Sequence, residues 1–138
     1  KQIAFEEKLG LHSKELFKEF DAKIRNAKNG LVSFLRKIKN EGKTIGAYGA
    51  SVTCTALINH FGLDEFFNFL VDDNPQRQYL FSPGLHLPVL SPKTIYDKRI
   101  DYVIILAWRY AEPIINKNKE FLNRGGHFII PLPKLKII

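Results

Sequence analysis

Methionine is missing from this chain altogether, even at position 1, and Cys54 and Trp108 are the sole cysteine and tryptophan. A lone cysteine excludes an internal disulfide framework and fits a reducing, cytoplasmic setting. There is no Cys-x-x-Cys pair, and His12, His60, His86 and His127 are scattered without metal-ligand spacing, which argues against a zinc site. No apolar run approaches the roughly 20 residues of a membrane span, so no membrane partner is expected. The charged, amphipathic start is unlike a signal peptide. The missing methionine suggests a piece cut from a longer protein, with a function that depends on what precedes it.

What is present suits one soluble α/β domain with a sizeable core: 138 residues, 45% of them hydrophobic. The net charge of +7 is uneven. Residues 1–43 hold eleven Lys/Arg against six Asp/Glu, and residues 44–138 hold ten against eight. The basic excess therefore sits on the first segment. It is either the solvated face of a helix or a surface for RNA or an acidic partner. Nucleic acid is the weaker expectation, because surface aromatics do not interleave with the basic residues.

The first long element is a helix from about Ser13 to Glu41, with Ser13 as N-cap and Gly42 placed for the C-cap. Phe17, Phe20, Ile24, Ala27, Leu31, Phe34 and Ile38 share one face. That seam either packs on the domain's own sheet, the favoured reading, or forms a coiled coil. Gly30 weakens the middle by about 1 kcal/mol relative to alanine and marks a possible kink. Residues before Ser13 read as a linker remnant. Together, residues 1–43 form the linker and long connector helix.

Strands and helices then alternate. Strands are expected at 44–48, 67–71, 101–107 and 127–130, and helices at 51–61, from Ser91-Pro92, and at 112–123. Strands that are apolar throughout, separated by helices, predict a small doubly wound, mostly parallel sheet over residues 44–138. Ligands of such sheets bind beyond the carboxyl ends of the strands. Four loops are expected at that edge: the Gly49 turn, the Asp72 turn, Trp108-Arg109-Tyr110 and Pro131-Leu132-Pro133.

The richest of these is Thr44-Ile45-Gly46-Ala47-Tyr48-Gly49-Ala50-Ser51-Val52-Thr53. An apolar strand enters a small-residue turn, and a helix opens on Ser51 to Thr53, aiming backbone N–H groups into a crevice. It lacks a full Gly-x-Gly-x-x-Gly fingerprint, so a nucleotide site and a tight packing turn both remain open. Asp72, twenty-three residues after Gly49, either accepts from ribose hydroxyls or caps the turn before Pro75. Trp108 either stacks on a base or sugar or plugs the sheet end. Cys54 reads as a buried helix residue rather than a nucleophile. His86, beside Pro83 and Gly84, is the one histidine placed for a ligand contact. No nucleophile is paired with a base, so a nicotinamide-dependent enzyme on this sheet is an alternative without a catalytic pair to support it.

Five blocks occur in order: Tyr48-Gly49-Ala50-Ser51, Val71 to Pro75, Ser82 to Val89, Leu106-Ala107-Trp108, and Arg124 to Pro133. Together they resemble the C-terminal domain of S-adenosylmethionine-dependent sugar C-methyltransferases, which act on nucleotide-linked deoxysugars. The resemblance implies a Rossmann-like domain that follows a zinc-binding domain and a methyltransferase domain in one chain. S-adenosylmethionine would bind in the upstream domain, and no cofactor is expected here. The nucleotide-linked sugar would lie between the last two domains, contacted here by Tyr48, Gly49, Ala50, Ser51, Thr53, Asp72, Pro83, Gly84, His86 and Trp108. The family turn usually reads Gly-Tyr-Gly-Ala-Pro-Ala-Lys-Gly. Here Ala47, Ser51, Thr53 and Cys54 replace the first glycine, the proline, the lysine and the last glycine. The lost lysine removes a point charge that could meet a diphosphate, while backbone N–H groups and the Ser51 and Thr53 hydroxyls remain as donors.

Overall fold

A computed structural model describes residues 2–138. The long helix, α2 (Lys14–Asn40), starts where its cap predicts: Ser13 is extended, and its hydroxyl accepts from the Leu16 N–H at 3.2 Å. It closes on Gly42 at φ +77°, with the Lys43 N–H returning to the Ile38 carbonyl at 3.0 Å. The helix runs through Gly30, where a Cβ would meet nothing within 4 Å.

The apolar seam of α2 is only half used. Leu31, Leu35 and Ile38 are buried, whereas Phe17 and Phe20 stand 62% and 61% exposed. The expected packing of the whole seam on the sheet therefore fails at its amino end. The reason is length: a helix of 27 residues is about 40 Å long, and it overhangs strands of two to four residues. Residues before Ser13, expected as linker, form a further helix, α1 (Gln2–Lys8), that buries no residue.

Six strands build one sheet in the order β3-β2-β1-β4-β5-β6. They are β1 (Ile45–Tyr48), β2 (Leu70–Val71), β3 (Val89–Leu90), β4 (Tyr102–Ile105), β5 (His127–Ile130) and β6 (Lys136–Ile137). All pairs are parallel except β5 with β6. The chain winds outward from β1 to β3, then restarts beside β1 with β4, so the switch point lies between β1 and β4. This is the doubly wound sheet that the alternation predicts.

The pleat sends alternate residues to two cores. Ile45, Ala47, Leu70 and Ile104 face α2 and α3 (Val52–Phe61), along with Leu31, Leu35 and Ile58. Tyr48, Val71, Val103, Ile105 and Phe128 face the other layer: α4 (Thr94–Asp97), α5 (Ala111–Lys117) and α6 (Lys119–Asn123). Leu31, Leu35 and Ile38 share a core with the strands, so the carboxyl half of α2 is part of the domain's own layer structure.

Four local expectations need correction. The run 67–71 pairs only at Leu70–Val71; residues 67–69 lead out of the 3₁₀ turn Asp64–Phe66 without joining the ladder. Ser91-Pro92 opens a turn, and the helix itself starts later, at Thr94. The helix expected over 112–123 breaks at Asn118, which is buried among polar partners. Its amide donates to the Ile114 carbonyl at 2.8 Å and accepts from the Tyr96 hydroxyl at 3.1 Å. Strands β3 and β6 are unforeseen, each a two-residue segment recruited by its neighbour.

Asp101 ties the start of β1 to β4. Its carboxylate accepts from the Thr44 N–H and hydroxyl, both at 2.8 Å, with the Lys43 ammonium at 3.6 Å. The Thr44 N–H, more than the nearby charge, holds this carboxyl below its ordinary range against a desolvation cost. A depressed folded-state pKa stabilises the fold above about pH 4, the unfolded value. That contribution disappears as pH falls through the folded value. Asp101→Asn is therefore expected to be less stable than wild type in urea at pH 7, with the gap narrowing toward pH 3. An equal gap at both pH values would show that the charge contributes nothing.

Candidate functional site

At the carboxyl edge of β1 the chain must turn sharply beneath β2 and β4. Gly49 does this at φ +113°, and its N–H donates to the Val71 carbonyl at 2.7 Å. A Cβ there would lie 2.8 Å from the Cys54 sulfur and 3.0 Å from the Ala107 Cβ. Ser51 then takes the N-cap position of α3 without making a side-chain cap bond. Its hydroxyl pairs instead with the Thr53 hydroxyl at 2.9 Å and the Cys54 sulfur at 3.2 Å.

A cleft of about 720 Å³ opens in front of this turn. One wall is Tyr48, Ser51, Thr53, Asp72, Asp73 and Arg77. The other is the segment 106–110 with Pro113, Ile114 and Lys117. It lies between the loops after β1 and β4, at the switch point of the sheet.

Asp72 is 7% exposed and almost fully engaged within the protein. One carboxylate oxygen accepts from the Ala50 N–H at 2.7 Å and from Arg77 at 3.2 Å. The other accepts from the Asn74 N–H at 2.9 Å. The geometry at Asp72 is that of a brace between two loops. Asp73, its neighbour, reaches the cleft: it accepts from the Tyr48 hydroxyl at 2.9 Å and pairs with Lys117. Burial raises the Tyr48 pKa, reinforced by the hydrogen bond and negative charge of Asp73. Tyr48 is therefore a neutral donor throughout the physiological range.

The structure brings Tyr48, Ser51, Thr53, Asp72 and Trp108 together on the cleft. Gly49 and Ala50 form the turn behind it. Pro83, Gly84 and His86 do not line it. Residues 79–82 run antiparallel beside β3, with Tyr79 N–H bonded to the Val89 carbonyl and Ser82 N–H to that of Leu87. The turn at 83–86 therefore sits at the amino end of β3, away from the cleft in which a ligand contact by Pro83, Gly84 and His86 is expected. His86 lies beside Phe81 there, with ring centres 5.8 Å apart.

Sequence reasoning passed over Arg77 and Lys117, held Asp73 only within the block Val71 to Pro75, and named Arg109 and Tyr110 only as loop residues. Lys117 meets Asp73 across forty-four positions of sequence, and no local pattern carries that signal. A second cleft, of about 820 Å³, shares Trp108 and Arg109 with the first and continues to Leu132, Pro133, Lys134 and Lys136. The Pro131-Leu132-Pro133 loop thus borders this neighbouring space.

The sequence pattern of the C-methyltransferase C-terminal domain matches residues 1–133. The chain belongs to that family. As a C-methyltransferase C-terminal domain, it is 32% identical over 137 residues to C-methyltransferase NovU from Streptomyces niveus. The match covers 99% of this chain and 33% of NovU. The chain thus spans about a third of the length of that relative. Among solved structures, UDP-D-quinovosamine 4-dehydrogenase from Vibrio fischeri aligns over 70% of this chain and 93% of its own, at 16% identity and a TM-score of 0.47.

Proposed function

We propose that this C-methyltransferase domain binds the substrate for an S-adenosylmethionine-dependent methyltransferase, and that the substrate is a nucleotide-linked deoxysugar. The observation that carries this reading is the cleft at the switch point. There the Ser51 and Thr53 hydroxyls, the neutral Tyr48 phenol, Trp108 and a set of cations surround one space. An indole face takes a base or sugar ring, and the hydroxyl donors take sugar and phosphate oxygens.

S-adenosylmethionine, which supplies the electrophilic methyl group, binds in the upstream methyltransferase domain of the same chain on this reading. The residues described here bind and orient the acceptor and help keep water from it. Ile3, Phe5, Leu9, Phe17 and Phe20, exposed along α1, the turn after it and the first half of α2, suit contact with that upstream domain. A cytoplasmic setting is consistent with the reduced, buried Cys54.

Because Trp108 is the one tryptophan and lines the cleft, its fluorescence reports the site directly. Titration of the chain with a thymidine diphosphate sugar is expected to change that emission saturably. Amide resonances of Gly49 to Thr53 and of Asp72 are expected to shift with it, without methyl transfer by this chain alone. Unmoved resonances at millimolar ligand would overturn the reading.

A further inference from the structure

We propose that Arg109 is the anion-holding residue of the cleft, and that the group it holds is the diphosphate of the ligand. This deepens the reading above and rests on it. Three cations line the cleft: Arg77, Arg109 and Lys117. Two are already matched. Arg77 lies 3.2 Å from the Asp72 carboxylate, and Lys117 is paired with Asp73. Among the described residues, Arg109 has no carboxylate within ion-pair distance, and its side chain makes no hydrogen bond. Thr53, on the opposite wall, brings no charge. The cleft therefore keeps one uncompensated positive charge, and Arg109 carries it.

The Arg109 guanidinium carbon lies 5.1 Å from the centre of the Trp108 ring. An indole face supports the guanidinium as a cation–π partner while leaving N–H donors for a ligand. Those donors form a rigid fork that matches two phosphate oxygens at once. Position favours a diphosphate over a terminal anion. Trp108 and Arg109 border both the 720 Å³ and the 820 Å³ clefts, so they form the ridge between them. An anion held on that ridge has room on either side. A diphosphate joining a nucleoside to a sugar has its charge in the middle and a bulky group at each end.

Thymidine and thymidine 5′-diphosphate, titrated against wild type, Arg109→Gln and Arg109→Lys, separate the possibilities. Wild type is expected to bind the diphosphate more tightly than thymidine. Losing a charge-assisted pair is expected to weaken diphosphate binding to Arg109→Gln by about tenfold or more. Thymidine affinity is expected to stay within about twofold, since a neutral ligand offers no anion for the lost charge to meet. Arg109→Lys keeps the charge without the fork and falls between the two. Equal diphosphate affinity in wild type and Arg109→Gln would overturn the assignment of Arg109 while leaving the substrate-binding reading intact. Equal losses for thymidine and diphosphate would also overturn it, because they would indicate packing rather than charge. If wild type binds neither compound, both the cleft reading and this assignment fail.

Discussion

Gly49→Ala is expected to destabilise the domain by about 3 kcal/mol, from backbone strain and overpacking of about 1–3 kcal/mol each. It is also expected to remove ligand binding from whatever remains folded. Gly49 sits at φ +113°, where a side chain is strained whatever the space around it. Space is also lacking. The new Cβ would fall 2.8 Å from the Cys54 sulfur, 3.0 Å from the Ala107 Cβ and 3.1 Å from the Ala107 nitrogen. Cys54 is fully buried, and the Ala107 N–H is bonded to the Tyr48 carbonyl. Relief would therefore displace the first turn of α3 or the end of β4, the two walls of the cleft. Urea denaturation measures the loss, with Gly30→Ala as the control. Gly30 is helical and open, so alanine there is expected to be neutral or stabilising by up to about 1 kcal/mol. Equal midpoints for the two variants would show that the turn tolerates a side chain.

Asp72→Ala is expected to cost about 3 kcal/mol, because a buried acceptor is lost and its donors are left unmatched. The Ala50 N–H, the Asn74 N–H and Arg77 all converge on this one carboxylate. Asp72→Asn retains the volume and one acceptor and is expected to fall between Asp72→Ala and wild type. Thermal melts combined with Trp108 fluorescence titration separate the two roles compatible with an acid at this position. A brace lowers the melting temperature first and ligand affinity as a consequence. A ribose contact lowers affinity in a domain that melts like wild type, and that result would contradict the assignment of Asp72 as a brace.

The first βα unit was legible because its signals are local: an apolar strand, small residues at the turn, a helix opening at Ser51 and a glycine, Gly62, closing it at φ +65°. The doubly wound, mostly parallel character of the sheet followed from the same alternation with right-handed crossovers. The stretch 72–90 was not legible. Its Pro, Gly and Ser residues read as irregular, yet it contains β3, defined by pairing with the remote β2, and a run at 79–82 that pairs antiparallel with 87–89 across an irregular turn. That pairing carries the chain back across the sheet, so Pro83, Gly84 and His86 lie away from the cleft. Within the cleft, Tyr48 was readable because it ends a buried strand, and Trp108 because it closely follows one, in the turn after β4. Lys117 was not, since it faces Asp73 through tertiary geometry alone, and Arg77 was not, since it meets Asp72 only through the fold of the loop after β2.

Helix α2 gives the molecule an angular setting. Its carboxyl half is keyed into the core by Leu31, Leu35 and Ile38, and its bare half continues without interruption through Gly30. In a helix, one residue advances the axis by about 1.5 Å and turns it by about 100°. Deleting one residue from the exposed positions 18–22 would leave Ile24, Ala27 and the core contacts beyond them in place. It would nevertheless swing α1, and anything borne on it, more than a quarter of the way around the axis. The arm thus works as a phase gauge: its length in residues sets the direction the amino-terminal end faces, as well as its distance from the cleft.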